Sequence, residues 1–130
     1  MIIDYGERAR AFVGTPFRPQ GRDANGLDCV GVILATFEIA SDALRRDYRL
    51  RGDHHSELLK GLNGQFRRVA KAQLRPGDVM MLKIADEQFH LAVRTNQGFV
   101  HAHAGIGRVV ETPGTPDWAL LAVYRKRRTR

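Results

Sequence analysis

One thiol and three late imidazoles are the groups in this chain that could do nucleophilic chemistry together: Cys29, the only cysteine, and His90, His101 and His103. A thiol becomes a useful nucleophile when its pKa is lowered, and a helix N-terminus or a neighbouring imidazole can each do that. Cys29 stands in Gly26-Leu27-Asp28-Cys29-Val30-Gly31, where a glycine-punctuated loop gives way to an apolar run. That position predicts the first turn of a buried helix, whose free N–H groups and dipole would favour the thiolate and could face a developing oxyanion. Asp28 is expected to cap the helix rather than join the chemistry, its charge slightly opposing thiolate formation. Without other signals, such a cysteine reads as a packed small hydrophobe.

The histidines fall in the second half. In a strand over 89–94, alternation places Phe89, Leu91 and Val93 on one face and His90 with Ala92 on the other. In the next run, Phe99, His101 and His103 share a face. Pairing the two strands about Asn96-Gln97 sets His90 opposite His103 and diagonal to His101; pairing about Thr95-Asn96 sets His90 opposite His101. Either register brings imidazoles together, so that one can take the thiol proton and a second can hold the first in its tautomer and orientation.

These residues need elements to position them. A first helix is expected through Val13, with Ile2, Ile3, Ala9, Phe12 and Val13 loosely on one side. Two prolines and three glycines then mark 14–26 as an ordered loop. The dense apolar run from Asp28 predicts a buried helix to about Leu44, and a short helix is expected near 56–62. After the turn signature Leu74-Arg75-Pro76-Gly77-Asp78, strands are expected over 79–84, 89–94, 99–103, 108–111 and 118–124, with hairpin turns at 95–98 and 104–107. Met80, Met81, Trp118 and Tyr124 read as core, the last two against the helix. Helices first and an antiparallel sheet second is the α+β arrangement.

At 130 residues, 43% of them hydrophobic, the chain can bury one core. The expected organisation is one domain over 1–124 and a solvated basic tail over 125–130. No apolar stretch approaches the roughly 20 residues of a membrane span. One cysteine makes no internal disulfide. The net charge of +7 suits a polyanionic neighbour, but the tail lacks interleaved aromatics and no nucleic-acid motif is present, so a nucleic-acid partner is not expected. His54 and His55 read as exposed loop residues. A His-x-His strand beside another histidine also has the form of a three-imidazole zinc site, but Cys29 would then be idle.

Four blocks, in order, carry a resemblance: Gly14-Thr15-Pro16-Phe17-Arg18 leading to Leu27-Asp28-Cys29-Val30-Gly31, then Leu74-Arg75-Pro76-Gly77-Asp78-Val79, then His90-Leu91-Ala92-Val93, then Phe99-Val100-His101-Ala102. Together they resemble the NlpC family of bacterial cell-wall cysteine peptidases, in particular its short, phage-tail-associated branch. The resemblance implies a papain-like fold and hydrolysis of peptidoglycan stem peptides, typically between D-glutamate and the diamino acid, through a thioester acyl-enzyme. It maps Cys29 to the nucleophile, His90 to the general base and His101 to the orienting residue, and implies no metal or organic cofactor. Phe17, Arg18, Arg22 and His103 are the candidate substrate-binding residues, the arginines as partners for stem-peptide carboxylates.

Phe17 stands where that family usually has tyrosine, and His90 and His101 are about one residue closer than in larger members, which leaves His103 as the alternative third residue. The N-terminus lacks the features of a secretory signal, so delivery in a phage-like tail, or release at lysis, is expected. The rival reading is a tail-assembly or adaptor protein that keeps the fold with weak or lost catalysis.

Overall fold

A helix begins at Tyr5 because Asp4 Oδ1 accepts the backbone N–H of Glu7 at 3.0 Å, satisfying one of the donors a helix start leaves open. The computed structural model describes residues 3–19, 21–23, 25–39, 65–85 and 88–127, and not the side chains of Arg22 and Asp23. Helix α1 spans Tyr5–Arg10, shorter than expected, and continues to Gly14 as turns. Ala9 is fully buried, whereas Ile3 and Val13, expected on the packed side, are exposed. After Arg10 the N–H groups of Ala11, Phe12 and Val13 bond the carbonyls three residues back, so the 3.6-residue spacing no longer holds where Val13 falls.

The loop that follows carries strands β1, Arg22–Asp23, and β2, Gly26–Leu27, paired as a short antiparallel ladder. Helix α2, Cys29–Thr36, is buried along nearly its whole circumference, the pattern of a core helix rather than a surface one. Burial of Val30, Val32, Ile33 and Leu34 contributes about 1.5–3 kcal/mol for each side chain. The helix stops well before Leu44. Glu38 takes a positive φ of 56°, and the N–H of Ile39 returns to the carbonyl of Leu34 at 2.9 Å, a left-handed stop that satisfies the last turn's carbonyls. Leu44, the helix expected at 56–62, His54 and His55 lie outside the described residues.

The second half forms a six-stranded antiparallel sheet. Its strands are β3 (Phe66–Val69), β4 (Val79–Ala85), β5 (Gln88–Arg94), β6 (Gly98–His103), β7 (Arg108–Pro113) and β8 (Ala119–Lys126), in the spatial order β3-β8-β4-β5-β6-β7. The expected α+β architecture is therefore present, with β3 as a strand the sequence did not announce. Strand β8 runs into the stretch expected as tail: Arg125 bonds Asp78 with both Nε and a terminal nitrogen at 2.8 Å. Asp78, 1% exposed, needs that partner because a buried carboxylate is costly alone.

The two faces of the sheet bury different clusters. Leu91, Val93, Val100, Ala102, Val79, Met81 and Ala122 pack with α2, and Tyr124 joins them as expected. Met80, Leu82, Ala92 and Phe99 form the opposite cluster with Leu74 and Trp118. Trp118 thus packs on the face away from the helix, because the alternation of β8 and the loop before it carry it there, and it does not fill the core against α2.

Candidate active site

The site is built where α2 begins against β5. Asp28 Oδ1 accepts the N–H of Gly31 at 2.8 Å, which makes Cys29 the first residue of the helix as expected. The loop lies on that first turn because residue 31 has no side chain: a Cβ there would stand 2.2 Å from the carbonyl oxygen of Gly21. Leu27 N–H donates to Pro16, Arg18 N–H to Leu27, and Phe17 N–H to Gly107. The segment with Phe17 and Arg18 is thereby held between the approach to Cys29 and the β6–β7 turn. Phe17 is half-buried against the core, Arg18 is exposed with its Cβ over Gly26, and Arg22 sits in β1.

The electrostatics of Cys29 differ from the expectation of a thiolate-favouring helix end. The residue is 4% exposed, and burial, followed by the neighbouring Asp28 carboxylate, pushes its thiol up to about 12. The backbone N–H groups of Leu91, Val30 and Cys29 itself act in the opposite direction and are outweighed. Desolvation of a thiolate exceeds what a few aligned N–H groups return when water is excluded from all sides. At neutral pH the resting group is the thiol.

The turn between β5 and β6 decides the histidine register. Thr95 Oγ1 accepts the N–H groups of Gln97 and Gly98, and the ladder pairs Val93 with Val100 and Arg94 with Phe99. That is the pairing about Asn96-Gln97, which carries His90 to the level of His103 and diagonal to His101. The diagonal pair is the one in contact: His90 Nε2 lies 2.9 Å from His101 Nδ1. His101 is 1% exposed, and its other nitrogen, Nε2, lies 3.0 Å from Thr112 Oγ1.

His103 is partly buried with its ring 5.6 Å from that of His101, and its Nδ1 accepts the N–H of Ile106 at 3.0 Å. It secures the β6–β7 turn rather than touching His90. Burial, then the repulsion of His101 and His103, lowers His90 to about 3. Burial and His103 lower His101 to about 4. Both rings are neutral at pH 7, as a proton acceptor and its orienting partner need to be.

His90 and His101 lie on the sheet face away from the body of α2, while Leu91, the next residue after His90, packs in one cluster with Cys29 on the face toward it. The structure therefore brings His90 and His101 into contact and places Cys29 in one buried cluster with Leu91. Among the described residues, no hydrogen bond joins Cys29 Sγ to an imidazole nitrogen. With Nε2 of His90 engaged by His101, Nδ1 is the nitrogen left to take a proton. None of the described histidines, cysteines and acids forms a group of three or more able to hold a metal ion, and no described helix is long and apolar enough to cross a membrane.

Two neighbours of the pair were not expected there, Trp118 because it was placed against the helix and Thr112 because no strand was expected to reach it. Trp118 stands edge-on to both rings, its centroid 5.9 Å from each, and shields one side of the pair. Thr112 falls just beyond the strand expected over 108–111. Its only signal was the β6–β7 register, in which His101 faces Val110 and Thr112 is its diagonal neighbour.

A model of the NlpC/P60 family matches residues 14–123. The fold is similar to NlpC1 from Trichomonas vaginalis, with a TM-score of 0.68 and 15% identity over 93% of this chain and 42% of that one. It is similar to the NlpC/p60 domain of the peptidoglycan hydrolase SagA, with a TM-score of 0.58 and 20% identity over 91% of this chain and 96% of that domain. It also resembles the peptidoglycan hydrolase RipB from Mycobacterium tuberculosis, at 0.60 and 20% over 94% and 62%. The chain spans 42% of the NlpC1 protein and 38% of an NlpC/P60 family protein from Bacillus cereus. At these identities the likeness is one of fold, the papain-like one expected. No curated protein matches the chain.

Proposed function

The chain belongs to the NlpC/P60 family, and we propose that it is a cysteine peptidase that hydrolyses peptidoglycan stem peptides, at the bond between D-glutamate and the diamino acid. The observation that carries this reading is the His90–His101 hydrogen bond of 2.9 Å, formed on the strand whose next residue, Leu91, packs in one buried cluster with Cys29 at the start of α2. Two proteins of similar fold are peptidoglycan hydrolases, which supports the substrate class.

In this reading Cys29 Sγ attacks the scissile carbonyl carbon as His90 Nδ1 takes the thiol proton. The closing contact between Nδ1 and Sγ is one that such sites commonly complete only with substrate in place. A thiol and an imidazole that are both neutral at rest make proton transfer part of the attack rather than its preliminary. His90 then returns the proton to the departing amine as the C–N bond breaks, leaving a thioester. Water attacks the thioester with His90 again as base, releasing the carboxylate and the thiol. His101 orients His90 throughout. Phe17, Arg18, Arg22 and His103 are proposed to line the substrate, the arginines for its carboxylates.

The second reading, a phage-tail assembly or adaptor protein with little catalysis, draws on the closed and deprotonation-resistant Cys29. Delivery to the wall within a phage-like tail, or at lysis, is compatible with both. Purified protein incubated with defined peptidoglycan fragments, beside a Cys29→Ala control, separates them. New fragment masses only in the wild type are expected; identical spectra from both samples would leave the adaptor reading.

A further inference from the structure

The imidazole pair does not end at His101. Its Nδ1 meets His90 and its Nε2 meets the hydroxyl of Thr112 at 3.0 Å, while the ring itself is 1% exposed, so no bulk water can replace either partner. Thr112 sits on β7 opposite Phe99, and Phe99 packs against the same imidazole with ring centroids 4.8 Å apart.

When His90 holds the proton taken from the thiol, both of its ring nitrogens carry hydrogen. Its Nε2–H then donates to His101 Nδ1, which must be bare. The single proton of neutral His101 is consequently on Nε2, and a buried N–H there requires an acceptor. The only group on that nitrogen among the described residues is Thr112 Oγ1. In the opposite tautomer His101 Nδ1–H donates to His90, the remaining proton of His90 moves to Nδ1, and the nitrogen meant to accept from Cys29 is blocked.

We propose that Thr112 is a positioning residue that, acting through His101, keeps the Nδ1 of His90 available as the base. The inference rests on the peptidase reading for the direction of the relay, since the hydroxyl of Thr112 can accept from Nε2–H or donate to a bare Nε2, while the His90–His101–Thr112 contacts stand on geometry alone. Nothing in the sequence pairs residue 112 with the histidines except the hairpin register.

Imidazole 15N shifts at one pH read the relay whether or not a substrate is cleaved. In the wild type and in Thr112→Ser, His101 is expected with its proton on Nε2 and Nδ1 bare. In Thr112→Val, which keeps the β-branched shape for strand packing but removes the hydroxyl, the two tautomers are expected to mix. An unchanged His101 pattern in Thr112→Val would overturn the assignment.

On peptidoglycan fragments Thr112→Val is expected to lower kcat about tenfold with KM unmoved, the low end of what losing an outer orienting partner costs, and Thr112→Ser to restore it. Full kcat in Thr112→Val would overturn the positioning role. A wild type that cleaves nothing, while the His101 tautomer still follows residue 112, would remove the peptidase reading and leave the relay supported.

Discussion

Nε2 of His90 and Nδ1 of His101 lie 2.9 Å apart although the residues are diagonal, not opposite, across β5 and β6. The contact forms because both rings are on one face of the sheet and an imidazole is long enough to span the diagonal spacing. His103, level with His90 in that register, instead accepts the N–H of Ile106.

Substitution of the three histidines should therefore give three different results. His90→Ala is expected to lower kcat by about 10²–10⁴, the usual contribution of a positioned base. His101→Ala should cost about 10–100-fold, as loss of an orienting partner does. His103→Ala should leave kcat within about threefold, raise KM, and loosen the β6–β7 turn. Steady-state rates on a peptidoglycan fragment check the order, and a larger kcat loss at 103 than at 101 would reverse the assignment.

The thiol of Cys29, held up to about 12 by burial and Asp28, is expected to alkylate with iodoacetamide at pH 8 more slowly than a free cysteine peptide. Asp28→Asn keeps a competent helix cap while removing the adjacent charge. It should speed alkylation on the order of tenfold, the equivalent of about one pKa unit, with little change in Tm. An unaltered rate would mean that the carboxylate does not act on the sulfur.

Depressed imidazoles make stability depend on pH with a definite sign. Burial holds His90 and His101 at about 3 and about 4, against 6.5 for the free group, so between those limits the unfolded chain binds more protons than the folded one. Stability then rises with pH in that window: the contribution is complete above 6.5 and is lost as pH falls toward the folded values. The carboxylate of Glu111, lowered from 4.5 by its bond to Arg10, acts in the same direction but only below its own unfolded value. Urea midpoints are expected to fall steadily from pH 7 to pH 5, before that carboxylate contributes. A flat profile over this interval would contradict the neutral pair.

Arg125 closes the sheet on Asp78, with paired 2.8 Å contacts. Arg125→Leu would leave a carboxylate that is 1% exposed with only the N–H of Arg75 at 3.0 Å among the contacts described. Breaking such a pair from one side is expected to cost about 3 kcal/mol, the low end of its range because Arg125 itself reaches partly into solvent. Chemical denaturation measures it. A loss below about 1 kcal/mol would return Arg125 to the status of a tail residue.

How much of this was legible can be followed residue by residue. The start of α2 could be read from Asp28-Cys29-Val30-Gly31 because a cap, an apolar run and a glycine are local signals, whereas its end could not, since the left-handed stop is made by Glu38, a residue type that does not advertise it. The sequence alone determined the α+β class, the placement of Cys29 at a helix start, and the approach of His90 to either His101 or His103. These follow from periodicity and short-range order, which are properties of neighbouring residues.

Tertiary structure decided the rest. It chose the register that puts His90 diagonal to His101, turned His103 into a turn partner, moved Trp118 to the face of the imidazoles, drew Arg125 into the sheet and brought in Thr112. It also reversed the electrostatic expectation for Cys29, because a helix N-terminus favours a thiolate only as far as burial permits, and burial is set by every element packed around the sulfur rather than by the residues beside it.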